Sequence, residues 1–105
     1  MAQFAVEFHP LAADEAEAAE RWYRERNEIA SARFQRELDR VQRELDRAVD
    51  LISGRPDTGA PYLANTRRVL LRRFAFFVVY RVRGDNVQVI AVAHARRRPG
   101  YWRAR

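Results

Sequence analysis

The densest chemistry in this sequence lies at its end. His94-Ala95-Arg96-Arg97-Arg98-Pro99-Gly100-Tyr101-Trp102-Arg103-Ala104-Arg105 places five Arg, one His and two aromatics in twelve residues. Guanidinium groups bind phosphate and carboxylate in planar, bidentate fashion. Tyr and Trp faces can stack on nucleobases. The run therefore suits an anionic macromolecule, unless Tyr101 and Trp102 pack back onto the strand that precedes them. A histidine titrates close to neutrality, so His94 either serves as an acid or base or simply ends a strand as a polar residue.

The rest of the charge is distributed to match. All twenty basic residues are Arg, which a GC-rich genome would explain. Residues 1–50 hold 8 Arg and 12 acids, a net of −4; residues 51–105 hold 12 Arg and 2 acids, a net of +10, which together give the overall +6. Ten excess positives cannot be neutralised by four excess negatives, so the second half should project a positive field toward nucleic acid or an acidic protein segment. The chain has no Cys, which excludes a disulfide framework and thiolate zinc. With two His in all, a His-rich metal site is not expected, nor any other metal or cofactor. The longest apolar run, Phe74 to Tyr80, is far short of the roughly 20 residues that span a bilayer. Met1-Ala2-Gln3-Phe4 lacks the features of a secretion signal. A soluble cytoplasmic protein of one domain, residues 1–105, is expected.

Periodicity supplies the elements that must position these groups. Gln3 to Phe8 alternates as a half-buried strand. Pro10 suits the first turn of a helix whose face holds Leu11, Ala12, Ala16, Ala19, Trp22 and Tyr23, with acids in its first turns. Asn27 to Ser31 reads as a break. A second helix follows, with a seam of Phe34, Leu38, Val41, Leu45, Ala48 and Ile52 that reads as core rather than as a coiled-coil interface. Gly54 and Pro56 stop it, and residues 54–66 read as a loop. Arg67–Arg72, Phe74–Val82 and Val87–Ala93 read as three strands of an antiparallel meander, with a hairpin turn at Arg83-Gly84-Asp85-Asn86. In the last strand, Val87, Val89, Ala91 and Ala93 are expected on one face and Ile90 and Val92 on the other.

The expected architecture is α+β: an N-terminal strand, a two-helix hairpin and a three-stranded meander, with both helices on one sheet face. The core should hold Phe4, Val6, Trp22, Phe34, Leu38, Val41, Leu45, Val69, Leu71, Val78 and Val89. Strands three and four are nevertheless apolar on both faces, Phe76, Val78, Tyr80 and Val82 against Phe77 and Val79. Either the C-terminal tail or loop 54–66 covers the second face, or that face is a docking surface for another chain.

The ordered set Arg55-Pro56-Asp57-Thr58-Gly59-Ala60-Pro61, Arg67-Arg68-Val69-Leu70-Leu71-Arg72-Arg73-Phe74, Val79-Tyr80-Arg81-Val82, Gly84-Asp85, Val89-Ile90-Ala91-Val92-Ala93-His94 and Arg96-Arg97-Arg98-Pro99 resembles the RelE/ParE toxin superfamily. The likeness covers nearly the whole chain and is strongest from residue 54 onward. It implies the toxin of a type II toxin–antitoxin pair, a growth-inhibiting protein of the kind found in plasmid stabilization systems, bound by an antitoxin whose flexible C-terminal segment wraps it. A partly acidic, partly apolar segment would suit both the bare sheet face and the Arg excess.

The superfamily divides by target. ParE-like members bind DNA gyrase; RelE-like members cleave ribosome-bound mRNA without a metal, basic residues holding the scissile phosphate while the 2′-OH attacks. The His94–Pro99 segment looks more like the ParE pattern, which implies a non-enzymatic gyrase inhibitor. The RelE-like alternative would be an endoribonuclease drawing on Arg73, Arg81, His94, Arg96 and Tyr101, although it usually relies on Lys as well as Arg and this chain has no Lys. A third reading is an inactive binding module. The target-facing surface implied by the resemblance comprises Arg72, Arg73, Arg81, Arg96, Arg97, Arg98, Tyr101 and Trp102.

Overall fold

The computed structural model describes residues 5–52, 60–72, 74–84 and 86–105, with the backbone alone for Ala5 and 44–52. Strand β1 (Ala5–Phe8) leads through His9 into helix α1 (Pro10–Arg26). His9 does two jobs there: its backbone N–H donates to Val89 O at 2.8 Å, and its Nδ1 accepts the Leu11 N–H at 3.1 Å, capping α1 ahead of Pro10. The helix starts at Pro10, so its first turn holds no acid and Asp14 and Glu15 lie in the second turn.

The expected break at 27–31 shrinks to one residue. Asn27 lies in an extended conformation, and its N–H closes α1 on Tyr23 O. Its Oδ1 then accepts from the N–H groups of Ile29 and Ala30, at 2.9 and 3.3 Å, capping helix α2 (Glu28–Ile52). One short amide side chain satisfies the orphan donors that a five-residue turn would have left to water.

The sheet has five strands in the order β1-β5-β4-β3-β2. Strands β3 (Thr66–Leu70), β4 (Phe76–Arg83) and β5 (Asn86–His94) form the antiparallel meander, and β1 adds to β5 in parallel. The reading of 54–66 as a loop is corrected in part: Ala60–Tyr62 form edge strand β2 against β3, followed by a 3-10 turn at Leu63–Asn65. Pro61 hid it, since proline in a strand is confined to edges; residues 53–59 lie outside the described residues. Gly84, at φ 56°, supplies the left-handed backbone between β4 and β5.

The helices cover one face. Phe34, Leu38 and Val41 of α2 and Ala12 and Ala19 of α1 pack on Val78, Tyr80, Val87, Val89, Val92 and Leu71, all buried. Val6 and Val69 are half-buried against this core. Phe4 and the Leu45 side chain lie outside the described residues. Trp22 is corrected: it is 49% exposed, as Leu11 is at 48%, and Tyr23 packs instead among Phe34, Phe74 and Phe76. Both positions fell within the apolar stripe, but the stripe is wider than the sheet beneath it.

In β5 the simple alternation fails. Val79 pairs with Ala91 but Tyr80 pairs with Val89, so Ile90 is an extra residue in a β-bulge. Ile90 and Ala91 therefore both join the outer face with Ala93, while Val87, Val89 and Val92 face the helices. Beyond this point a period of two assigns the wrong face, as it did for Val92 beside Ile90.

The outer face is not bare. Trp102, 2% exposed, sits on Phe77, Val79, Ile90, Ala91 and Ala93, flanked by Tyr62, Leu63 and Tyr101. Its ring stacks on Tyr62 at 5.4 Å, and the Arg68 guanidinium lies 4.4 Å from the centre of that same Tyr62 ring. The docking-surface reading of this face gives way to coverage by the chain's own tail. Among the described residues, Trp102 Nε1 is buried with no hydrogen-bond partner. Trp102→Ala should accordingly cost about 3–5 kcal/mol. Trp102→Phe should stay within about 2 kcal/mol of wild type, because it removes an unsatisfied donor along with the lost contacts. Urea denaturation of the two variants checks this ordering.

Candidate functional site: a cationic pole

The C-terminal turns reach around the open edge of β5. Among the described residues, strand β1 pairs with Asn86–Val89 alone, which leaves the edge of β5 without a strand partner from Ile90 onward. Glu15 of α1 fills that gap. Its Oε1 accepts the Val92 N–H at 3.0 Å, and its carboxylate also takes the Tyr101 hydroxyl at 2.6 Å and both Arg105 terminal nitrogens at 2.8 and 3.1 Å. Arg105 Nη1 donates in turn to Ile90 O at 3.0 Å. A side-chain pair thus replaces the missing strand at an edge that would otherwise invite pairing. Arg97, half-exposed, lies 3.4 Å from Glu15 and 3.8 Å over the Tyr101 ring. Burial, then the Glu15 carboxylate, raises the Tyr101 pKa far above that of an ordinary phenol.

The residues singled out in the sequence do not form one cluster. Arg81 donates to Gln88 Oε1 at 3.0 and 2.8 Å, and burial lowers its pKa while leaving it cationic. Arg81 pairs with Gln88 in the β4–β5 ladder, whereas His94 pairs with Phe76. Five steps of β4 separate Arg81 from Phe76, the partner of His94, about 17 Å. His94 Nδ1 accepts the Arg96 N–H at 3.0 Å and its ring meets Phe76 edge-on. Tyr101 donates to Glu15, and Trp102 is buried, so neither ring is open for stacking on a base. Arg73 lies outside the described residues. Arg96 and Arg98 are exposed and, among the described residues, pair with no acid.

Arg72 belongs to a different neighbourhood. It lies in the turn between β3 and β4, where Leu71 N–H donates to Phe76 O. Its own N–H donates to Glu37 Oε1 at 2.8 Å. Glu37 also accepts from Arg40 Nε at 3.0 Å; that bond, followed by the Arg72 amide, outweighs burial and holds its carboxyl below the usual range. Beside it opens a groove of about 580 Å³ lined by Tyr23, Ile29, Ala30, Arg33, Arg36 and Phe74 among others. No periodicity argument could bring Arg33 and Arg36 to Arg72, because the link is the long-range Glu37 contact. The α1–α2 turn, the β3–β4 turn and the end of β5 share this pole of the molecule, as Tyr23 does by touching both Phe74 and Phe76.

A lowered carboxyl pKa stabilises the folded state at pH values above the ordinary carboxylate range, and that contribution is lost as pH falls through the lowered value. Glu37→Gln should therefore destabilise the protein at neutral pH. The gap from wild type should close progressively below about pH 4. Thermal unfolding of both proteins across that range tests the sign.

Comparison with known proteins places this geometry. Residues 6–99 match the family described as the ParE toxin of type II toxin–antitoxin systems, parDE. Among solved structures, one from the chromosomal ParDE toxin–antitoxin system of P. aeruginosa matches with a TM-score of 0.60 at 18% identity, covering 88% of this chain and 96% of that one. No significant match was found among curated proteins. The helix pair, the five-stranded mixed sheet and a family match over most of the length lead to one conclusion: this chain belongs to the ParE toxin family of type II toxin–antitoxin systems.

Proposed function

We propose that the protein arrests growth by binding DNA gyrase, without covalent chemistry of its own, and that a cognate antitoxin neutralises it in the cytoplasm. The observation that carries this reading is the dispersal of the groups a metal-free nuclease would need. Arg81 is committed to Gln88, Tyr101 to Glu15 and the Nδ1 of His94 to the Arg96 amide. General acid–base catalysis needs its groups within hydrogen-bond reach of one reacting centre. Binding needs only a complementary surface, and the exposed Arg96 and Arg98 beside half-exposed Arg97 offer one to an acidic target. Family membership supports the same reading.

Purified protein should inhibit gyrase supercoiling and leave ribosome-bound mRNA intact. Arg96→Glu combined with Arg98→Glu should raise the concentration needed for inhibition by about tenfold or more, with the thermal midpoint unchanged. Cleaved mRNA with untouched supercoiling would replace the proposal by the endoribonuclease reading. Harmlessness in both assays would favour an inactive binding module.

A further inference from the structure

A second cleft, of about 380 Å³, opens where α1 meets the ends of β4 and β5. Ala18, Ala19 and Trp22 line its helix side, and Phe76, His94 and Arg97 line the side of the sheet and the tail. We propose that this cleft binds a free small molecule, a planar aromatic carboxylate, with its ring among Trp22, Phe76 and the two alanines and its carboxylate against Arg97 and His94.

The shape follows from the spacing on α1. Positions 15, 18, 19 and 22 recur at three and four residues and so share one side of the helix. Ala18 and Ala19 are short between the longer Glu15 and Trp22, which leaves a slot. Trp22 is 49% exposed, and an indole in water adds little to the stability of a monomer. The Arg26 guanidinium, 3.8 Å from the ring centre, occupies only one of its faces. Phe76 and His94 meet edge-on at 5.0 Å on the opposite wall. An inserted ring finds aromatic partners on both sides, and clefts of this volume accommodate small molecules.

The charge selects an anion. Glu15 already accepts from the Val92 amide, the Tyr101 hydroxyl and both terminal nitrogens of Arg105, so its charge is matched in place. Arg97 reaches it through one long contact of 3.4 Å, and among the described residues its other N–H groups have no acceptor. His94 Nδ1 accepts the Arg96 N–H, which puts the ring's own N–H at Nε2. Two donors on one wall suit the two oxygens of a carboxylate. The rest of the lining argues against other occupants. Ala18, Ala19, Phe76 and Val92 would leave the ring nitrogens and carbonyls of a nucleobase unpaired, at a cost. No protein side chain carries both an aromatic ring and a carboxylate, so a docked chain would satisfy only half of the cleft.

The probe is cinnamate, titrated into the purified full-length protein and followed by ligand-observed NMR. Wild type should bind with a Kd of about 1 mM or tighter. Cinnamamide, which keeps the shape and lacks the charge, should bind about tenfold more weakly or worse, and AMP should not compete. Ala18→Leu fills the slot without changing any charge, and Arg97→Gln removes the cation; each should weaken cinnamate binding by about tenfold or more. Arg43→Gln, the same charge loss at an exposed position of α2 outside the cleft, should change it by less than about twofold. Ala18 is exposed and Arg97 half-exposed, so the circular dichroism spectra should match wild type. No binding by wild type, equal binding of cinnamamide, competition by AMP, undiminished binding by Ala18→Leu, or equal losses in Arg97→Gln and Arg43→Gln would each overturn the proposal. The titration is independent of whether the chain inhibits gyrase.

Discussion

The Glu15 carboxylate joins three parts of the chain that no backbone ladder connects: α1, the open edge of β5 and the C-terminal turns. Removing a carboxylate from water is costly and is offset only when its lone pairs are filled with good geometry. Here a backbone amide, a phenol and a bidentate guanidinium fill them. The same Arg105 that pairs with Glu15 satisfies Ile90 O, so acid and base together stand in for a strand that β1 is too short to provide. Arg81, next after Tyr80 in β4 and so on the outer face with Val79, donates to the backbone carbonyl of Arg105 at 3.4 Å. The tail thereby crosses the outer face with polar contacts holding Arg105 and with Trp102 as its apolar anchor.

This closure decides where function can lie. A chain of this size has little surface to spare, and the tail turns both its aromatics and two of its cations, Arg97 and Arg105, to closing the sheet edge around Glu15. What stays available is the charge that the tail does not consume. Arg96 and Arg98 project beyond the end of β5, and Arg33, Arg36 and Arg72 surround the groove at the same pole. A toxin must meet two partners, its target and its antitoxin.

Much of the fold was legible because it follows local periodicity. The helix seam Phe34–Leu38–Val41 and the two-faced β4 could be read from spacing alone, and both are where that spacing puts them. The failures share a cause: they depend on partners distant in sequence. The bulge at Ile90 reverses faces only because β4 pairs around it. Edge strand β2 exists because β3 accepts it despite Pro61. Glu15 looked like one acid among several on a solvated helix face, and nothing local marks it as the residue that collects Arg97, Tyr101 and Arg105. The tail has the composition of a free basic arm, and its sequence left open whether Tyr101 and Trp102 bind a partner or pack back onto the sheet. Its burial follows from the apolar outer face beneath it, a feature that the same sequence displays elsewhere.

The central claim is that Glu15 replaces a missing strand at the edge of β5, and amide hydrogen exchange at Val92 tests it most directly. An unpaired edge amide exchanges through small local fluctuations, whereas a bonded one requires an opening event. In the wild-type protein Val92 should be protected, and Glu15→Ala should speed its exchange by about tenfold or more relative to the ladder amide of Val78. Rapid exchange of Val92 in wild type, or equal acceleration of Val92 and Val78 in the variant, would contradict the account.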